Sequence, residues 1–326
     1  MKGFLAYKFP DGAIKKATGD WEKSSLIQLP NDVFFVTDFN KENCYFFREE
    51  NTSIDESKIP FTYRTIDSVF IANRNAYLNG LDVFIHEFEP RDIQKAVFSR
   101  IHAVEKSTNK KPLEIFHALV DKYGDEALIY LMTDPAFGTW IGATPEVLLK
   151  GGETTIESMA LAGTKSDEDQ EWTKKEYEEQ AFVEDYIEQL IREQSPTEFE
   201  KSEVKTVKSG AVYHLRTSFQ FHLPPYKWNA LIDTMHPTPA VCGTPSIDAK
   251  SLINSFEPHK REFYTGLIGK IGLTQLDIYV NLRCMQVLEN KFALYVGGGI
   301  TRNSDIASEW RETEEKSRTL LNVLED

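Results

Sequence analysis

With three cysteines in 326 residues, this chain has no disulfide framework to lean on. Cys44, Cys242 and Cys284 are widely spaced and odd in number, the pattern of reduced thiols in a cytosolic protein. Long apolar runs are missing as well. No window approaches the roughly 20 residues that a membrane helix needs, and the opening MKGFLAYKFPDG holds no apolar stretch of signal-peptide length. A cytoplasmic protein without membrane contacts is expected. Basic residues are in deficit, 37 Lys and Arg against 51 Asp and Glu, for a net charge of −14. That balance argues against a general nucleic-acid binder, because phosphate neutralisation needs basic patches. Any anionic ligand must be held by a local cationic pocket or a bound cation. No GxGxxG follows a strand and no P-loop occurs, so nucleotide-cofactor folds lose ground. The seven histidines show no zinc spacing.

What remains is an ordinary globular composition, 41% hydrophobic and 27% charged, long enough to bury a large core as one big domain or two modest ones. Residues 1–80 alternate short aromatic-rich strands with turns. From about Asp92, DIQKAVFSRIHAV reads as a strand, PLEIFHALVDKYG as a helix ending in glycine, and ALIYLMT, GTWIGATPEVLLK and TTIESMALAG as successive strands. Gly151-Gly152 is expected to form the hairpin turn between the last two, since both can take positive φ. A long acidic helix is expected from about Asp167 to Gln194, closed by Pro196. Strands VKTV and AVYHLRTSFQFHL follow, then a helix stopped by Pro237, then another capped by Thr244-Pro245 and running to about Phe256. Antiparallel strand pairs interrupted by helices, without regular β-α-β alternation, predict an α+β architecture.

The segment from Asn281 to Lys316 concentrates the chemistry: NLRCMQV, a turn, FALYVGGGI, and a helix opening EWRETEEK. In the strand IYVNLRCMQVL, alternation puts Val280, Leu282 and Cys284 on one face and Asn281 and Arg283 on the other. A two-residue turn at Glu289-Asn290 would set Arg283 opposite Val296, beside Gly297. A guanidinium fork and the N–H groups of Gly297, Gly298 and Gly299 could then grip a carboxylate; an edge arginine beside a glycine-rich exit loop reads the same way. Glu312 and Lys316, four apart on a helix capped near Ser304-Asp305, continue an apolar stripe through Leu320 and Val323, although surface i,i+4 ion pairs are common. Glu179 extends the stripe of Val183, Ile187 and Leu190 on the acidic helix, with Glu176 one turn further. Two inward glutamates from two helices suit a magnesium ion that keeps several waters. Lys95 lies on a strand among apolar neighbours, where desolvation favours a neutral amine, and Glu146 follows Thr144-Pro145 at a strand kink. By spacing alone these two read as a snorkelling lysine and a loop carboxylate, and His214 in AVYHLRTS as a packed strand histidine.

Taken together, KAVFSR, GATPE, ALAGT, KKEYEEQ, HLRTS, HPTPAVCGTP, EPHKREFYTG, NLRC, YVGGGI and EWRETEEK resemble the chorismate-utilising enzymes, most closely the isochorismate synthases. The resemblance runs in order from about Asp92 to the C-terminus. It implies one chorismate-binding unit over residues 1–326, with 92–326 as the core and 1–85 a variable part packing on the same sheets. The implied fold is two large antiparallel β-sheets packed face to face, helices outside, with the site in a cleft at the sheets' edge. It implies Mg²⁺ as cofactor, chorismate as the small-molecule partner and, by analogy, a monomer. Lys95 matches the general base that activates water for attack at C2, and Glu146 the acid that protonates the departing 4-hydroxyl. Glu179 and Glu312 match the metal-binding carboxylates. Arg283 and Gly297–Gly299 match the grip on the enolpyruvyl carboxylate, and Gly163, Thr164, His214, Ala240 and Lys316 match further substrate contacts. Ammonia-using relatives generally lack the base lysine, and aminodeoxychorismate synthases carry a lysine where this chain has Ala162. Water is therefore the implied nucleophile. A salicylate synthase, which goes on to eliminate pyruvate, and a catalytically silent relative are the alternatives. One departure is Gln180, where the family usually has histidine.

Overall fold

The structure, a computed structural model, describes residues 2–65, 69–106, 110–165, 167–209 and 212–325. Its N-terminal third supplies β1 (Gly3–Lys8), β2 (Lys15–Ser24), β3 (Val33–Thr37), β4 (Cys44–Asn51), α1 (Arg74–His86) and β5 (Lys95–Glu105). The middle adds α2 (Pro112–Tyr123), β6 (Leu128–Asp134), β7 (Gly138–Thr144), β8 (Val147–Gly152), β9 (Ile156–Lys165) and α3 (Lys174–Glu193). Then come β10 (Phe199–Lys201), β11 (Lys205–Ser209), β12 (Val212–Phe221), α4 (Trp228–Met235), β13 (Gly243–Thr244) and α5 (Ser246–Phe256). The chain closes with β14 (Leu267–Ile271), β15 (Gln275–Val280), β16 (Cys284–Val287), β17 (Lys291–Thr301) and α6 (Ile306–Leu324).

The strands form one antiparallel ladder that doubles back on itself. Its first half runs β13-β5-β17-β16-β7-β6-β1. β2 carries it across, and the second half runs β4-β3-β14-β15-β8-β9-β12, with β10 and β11 on the outer edge. The two halves are large antiparallel sheets whose inner faces share one core, including Tyr7, Trp21, Tyr130, Trp140, Phe263, Ile268, Tyr279 and Tyr295. The N-terminal strands are thus the middle of the ladder rather than a layer laid on it.

Period-two alternation explains the apolar runs. In β6, Leu128, Tyr130 and Met132 enter the shared core, whereas Ile129 and Leu131 pack outward with α2 and α6. Covering both faces is what makes ALIYLMT apolar throughout. On the second sheet, Val183, Ile187, Leu190 and Ile191 of α3 pack against Ile156, Ala160 and Ala162 of β9, as the helical stripe predicted. α1 and α5 cover Ala96 and Phe98 on the outer face of β5. Among the described residues no helix is long and apolar enough to cross a membrane.

Several local expectations are corrected. The hairpin joining β8 and β9 turns on Glu153-Thr154, not Gly151-Gly152, because Lys150 pairs with Glu157, Gly151 with Ile156, and Gly152 N–H bonds Thr155 O at 2.9 Å. The acidic helix begins at Lys174 rather than near Asp167, where Glu176 accepts from the Thr173 N–H at 2.8 Å and so closes the helix start. Thr244 does not cap α5; it ends β13, and Pro245 stands at the cap position without a side-chain bond. The run IYVNLRCMQVL is two strands, broken at Asn281–Arg283.

Ile187 is fully enclosed between α3 and the sheet. Ile187→Ala should lower unfolding free energy by roughly 2–4 kcal/mol. Urea denaturation would read this as a lower midpoint at unchanged slope.

Candidate active site

The break at Asn281–Arg283 coincides in space with a second one, at Pro145-Glu146 between β7 and β8. β7 pairs with β16 in the first sheet, and β8 pairs with β15 in the second. The chain therefore passes directly from a strand of one sheet to a strand of the other at Pro145-Glu146 and again at Asn281–Arg283, side by side. Ala143 N–H bonds Arg283 O at 3.1 Å, and Val280 N–H bonds Glu146 O at 2.9 Å. Neither segment can continue as regular strand at this seam. Arg283 accordingly adopts a left-handed backbone, φ 46°, which costs about 1–3 kcal/mol unless the surroundings fix it. The alternation expected for Val280–Cys284 fails there: Leu282 and Arg283 both line the cavity at the seam, while Asn281 is buried and bonds Tyr130 Oη and Phe263 O.

That cavity, about 880 Å³ counting the open space at its mouth, is lined by Lys95, Glu146, Gly163, Glu179, His214, Ala240, Arg283, Gly297, Gly298, Gly299, Glu312 and Lys316 among others. The residues matched to catalytic, metal-binding and substrate-binding roles therefore meet in one place, apart from Thr164, whose side chain lies outside the described residues. The β16–β17 ladder, turning at Glu289-Asn290 as expected, stops at Cys284–Tyr295. The edge from Val296 to Gly299 is thereby left to the cavity, while the opposite edge pairs with β5 from Arg100 to Val97. The three glycines lie within β17 and are not an exit loop. Side chains here would fill the site. A Cβ on Gly299 would come within 2.8 Å of Lys95 Cε and 3.7 Å of Glu179 Oε1, and one on Gly298 within 3.4 Å of Glu312 Oε1.

Lys95 begins β5 and is buried with its neighbour Val97 on the inner face. Glu146 is buried at the seam, and its carboxyl is pushed up to about 7. Burial drives that rise, and the positive charges of Lys95, Lys316 and Arg283 oppose it. Burial also depresses Arg283, against Tyr123, Glu146 and Glu126, but a guanidinium stays cationic. His214 falls to about 4, first from burial and then from Arg283 and Lys316, with the Gly163 bond opposing. Its Nδ1 lies 2.8 Å from Gly163 O, a pure acceptor, so the neutral ring carries its proton on Nδ1 and a lone pair on Nε2. Lys316 Nζ bridges Glu312 Oε1 at 2.7 Å and Gly297 O at 3.1 Å.

The acidic helix sorts its carboxylates by position. Glu176 closes the helix start, Glu178 pairs with Lys174 at 3.1 Å on the surface, and Glu179 alone of the three borders the cavity. Gln180, where the resemblance expects histidine, is buried and donates to Ala160 O and Thr217 Oγ1, tying α3 to β9 and β12. Oxygen donors on two helices, with space preserved beside each by Gly298 and Gly299, fit a hard divalent cation that keeps most of its waters. No group of three or more His, Cys, Asp or Glu with metal-binding geometry occurs among the described residues.

Sequence reasoning passed over the aromatic wall of Tyr264 and Tyr295, and Thr265, whose φ is 60°. It also passed over Glu309, a buried acid near Gly298 one turn before Glu312. Spacing in EWRETEEK could have shown the last; nothing in FYTG marks a left-handed threonine.

A family profile described as chorismate binding enzyme matches residues 40–325. The chain belongs to the chorismate-binding enzyme family. It is 32% identical over 200 residues to isochorismate synthase DhbC of Bacillus subtilis, covering 57% of this chain and 50% of that protein. It is 30% identical over 200 residues to isochorismate synthase EntC of Escherichia coli K12, covering 57% and 51%. The chain thus spans about half the length of the curated relatives it matches. The structure of MenF, the menaquinone-specific isochorismate synthase from Escherichia coli, superposes with a TM-score of 0.81 at 18% identity over 99% of this chain and 89% of that one. The two-sheet fold is the one this chorismate-binding enzyme shares with that structure.

The Glu146 environment has a thermodynamic consequence. With a folded-state value above the ordinary 4.5, the folded protein holds this proton more tightly than the unfolded chain. The associated stability is fully present below about pH 4.5 and lost as pH rises through about 7, some 3 kcal/mol in all. Glu146→Gln mimics the protonated acid and should abolish that loss. Urea unfolding across this range should show wild type falling relative to the variant; parallel curves would mean that Glu146 titrates as an ordinary carboxylate.

Proposed function

We propose that the protein is an Mg²⁺-dependent isochorismate synthase, converting chorismate to isochorismate. The observation that carries this reading is the buried Glu146, with its carboxyl near 7, inside a cavity that also presents Lys95, Arg283 and Lys316. A carboxylic acid that keeps its proton near neutrality can give it to a leaving hydroxyl. Three basic side chains in a chain of net charge −14 offer partners for the carboxylates of a small anion, with Glu179 and Glu312 left for a cation, and chorismate is a dianion.

In this reading Arg283 and the cavity-facing edge of Gly297–Gly299 take the enolpyruvyl carboxylate. Glu179 and Glu312 would hold the magnesium ion, which when bound supplies charge neutralisation for the ring carboxylate. Lys95 accepts the proton of a water as its oxygen bonds to C2. The ring double bonds shift, the C4–O bond breaks, and the Glu146 proton goes to the departing hydroxyl, which leaves as water. One water enters and one leaves, so product and substrate are isomers. His214, neutral and with a lone pair on Nε2, can accept a hydrogen bond from a substrate hydroxyl. Lys316 offsets the charge of Glu312 and lies against the glycine edge.

Lys95 is favoured as base over a purely structural lysine because its side chain lines the cavity, where a side chain at Gly299 would crowd its amine. The product would be consumed by a pathway that uses isochorismate, as in menaquinone or catechol siderophore synthesis.

Incubating the protein with chorismate, with and without Mg²⁺, and separating products chromatographically tests the reading directly. Isochorismate that appears only with metal is expected. Salicylate with pyruvate would move the protein to the lyase branch, and no conversion despite binding would mark a silent relative.

Lys95→Ala should abolish turnover, by at least about 100-fold as for loss of a general base, while circular dichroism and melting remain those of wild type. Wild-type turnover in this variant would remove Lys95 from the mechanism.

A further inference from the structure

We propose that Thr144 is a positioning residue whose hydroxyl locks the Glu146 and Arg283 segments together at the seam between the sheets. Thr144 is completely buried at the end of β7 and does not line the cavity. Its hydroxyl donates to Val280 O and accepts from the Leu282 N–H at 3.3 Å. It is flanked by two backbone bonds, Ala143 N–H to Arg283 O at 3.1 Å and Val280 N–H to Glu146 O at 2.9 Å.

No sheet ladder could replace it. β15 has ended at Val280 and β16 starts only at Cys284, and Pro145 between Thr144 and Glu146 has no N–H to give. Across the gap the Thr144 side chain supplies the partner that a neighbouring strand would otherwise offer to Leu282. On its other side, Asn281 is fixed by Tyr130 Oη, Phe263 O and the backbone of Thr265 and Gly266. The left-handed Arg283 is the next residue but one after Asn281, so the hydroxyl closes the last unfixed step before it. Removing the hydroxyl leaves the part-buried Leu282 N–H and the buried Val280 carbonyl without this partner and frees both site segments to shift relative to each other. Thr144 touches no substrate atom in this account; it acts through Arg283 and Glu146.

The inference rests on the chorismate reading only for the ligand used as probe. Wild type, Thr144→Val and Thr144→Ser would be compared by calorimetric titration with chorismate, steady-state kinetics over a pH series, and thermal melting. Thr144→Val keeps the shape and loses the hydroxyl. It should weaken chorismate binding and lower kcat/KM by roughly ten- to a hundredfold and shift the pH limb set by Glu146, while Thr144→Ser stays within about twofold of wild type. A Thr144→Val protein with wild-type affinity, kcat and pH limb, whatever its melting temperature, overturns the proposal. Equal losses in Thr144→Ser and Thr144→Val overturn it too, since methyl packing would then be the cause. Should Thr144→Val not fold, Thr144→Ala against Thr144→Ser gives the same contrast. If wild type binds chorismate without converting it, the proposed activity fails while the titrations still decide Thr144. If wild type binds no chorismate, the substrate reading fails alone, and urea unfolding across the pH range decides Thr144: the Glu146 limb should move in Thr144→Val but not in Thr144→Ser, and an unmoved limb overturns the proposal.

Discussion

The arrangement depends on one constraint: two neighbouring stretches of chain must cross from one sheet to the other at the same place. Regular ladders cannot be continued through such a crossing, so the backbone groups of Ala143–Glu146 and Val280–Arg283 satisfy one another. The left-handed conformation of Arg283 follows. So does the early end of the β16–β17 ladder, which leaves the glycine edge of β17 to the cavity. Carboxylic acid, guanidinium and N–H edge are brought together by a single topological event.

The site balances charge where the molecule as a whole does not, with three basic and three acidic side chains along the cavity. A chain with net charge −14 gathers Lys95, Arg283 and Lys316 near the buried Glu146, in a cavity that Glu179 and Glu312 also line. Burial and nearby cations act on Glu146 in opposite directions, and burial prevails. Were the cations closer or the site wetter, the acid would ionise near its ordinary value and lose its use as a proton donor at neutral pH. His214 is settled by the same two effects acting in the same direction, which keep it neutral.

The helices serve the site through their ends as much as through their packing. α3 spends Glu176 on its own start and Glu178 on Lys174, leaving Glu179 for the cavity. α6 begins at the Asp305 cap, whose carboxylate accepts from the Ser308 N–H at 2.8 Å, and places Glu312 and Lys316 beside the glycine edge. Glycine at 298 and 299 is required because a side chain would occupy the space between the carboxylates, the lysine and any ligand.

The sequence by itself determined the α+β class, most strands and helices, and the inward stripes of α3 and α6, because periodicity records which faces are buried. It also placed the Glu289-Asn290 turn, since register follows from the number of residues between paired positions. Through the resemblance of its motifs it named the residues that meet in the cavity. Spacing alone gave Lys95 and Glu146 no role, because a buried lysine and a kinked loop read alike whether or not they face a site. Only the tertiary structure decided that the strand breaks at Asn281–Arg283 and after Thr144 are the same event, for their partners lie some 140 residues apart. It alone decided that Glu176 is a cap and Glu179 a cavity residue, and that Glu146 is an acid poised near 7. Burial and charge proximity are properties of three-dimensional neighbours, and no local pattern along the chain encodes them.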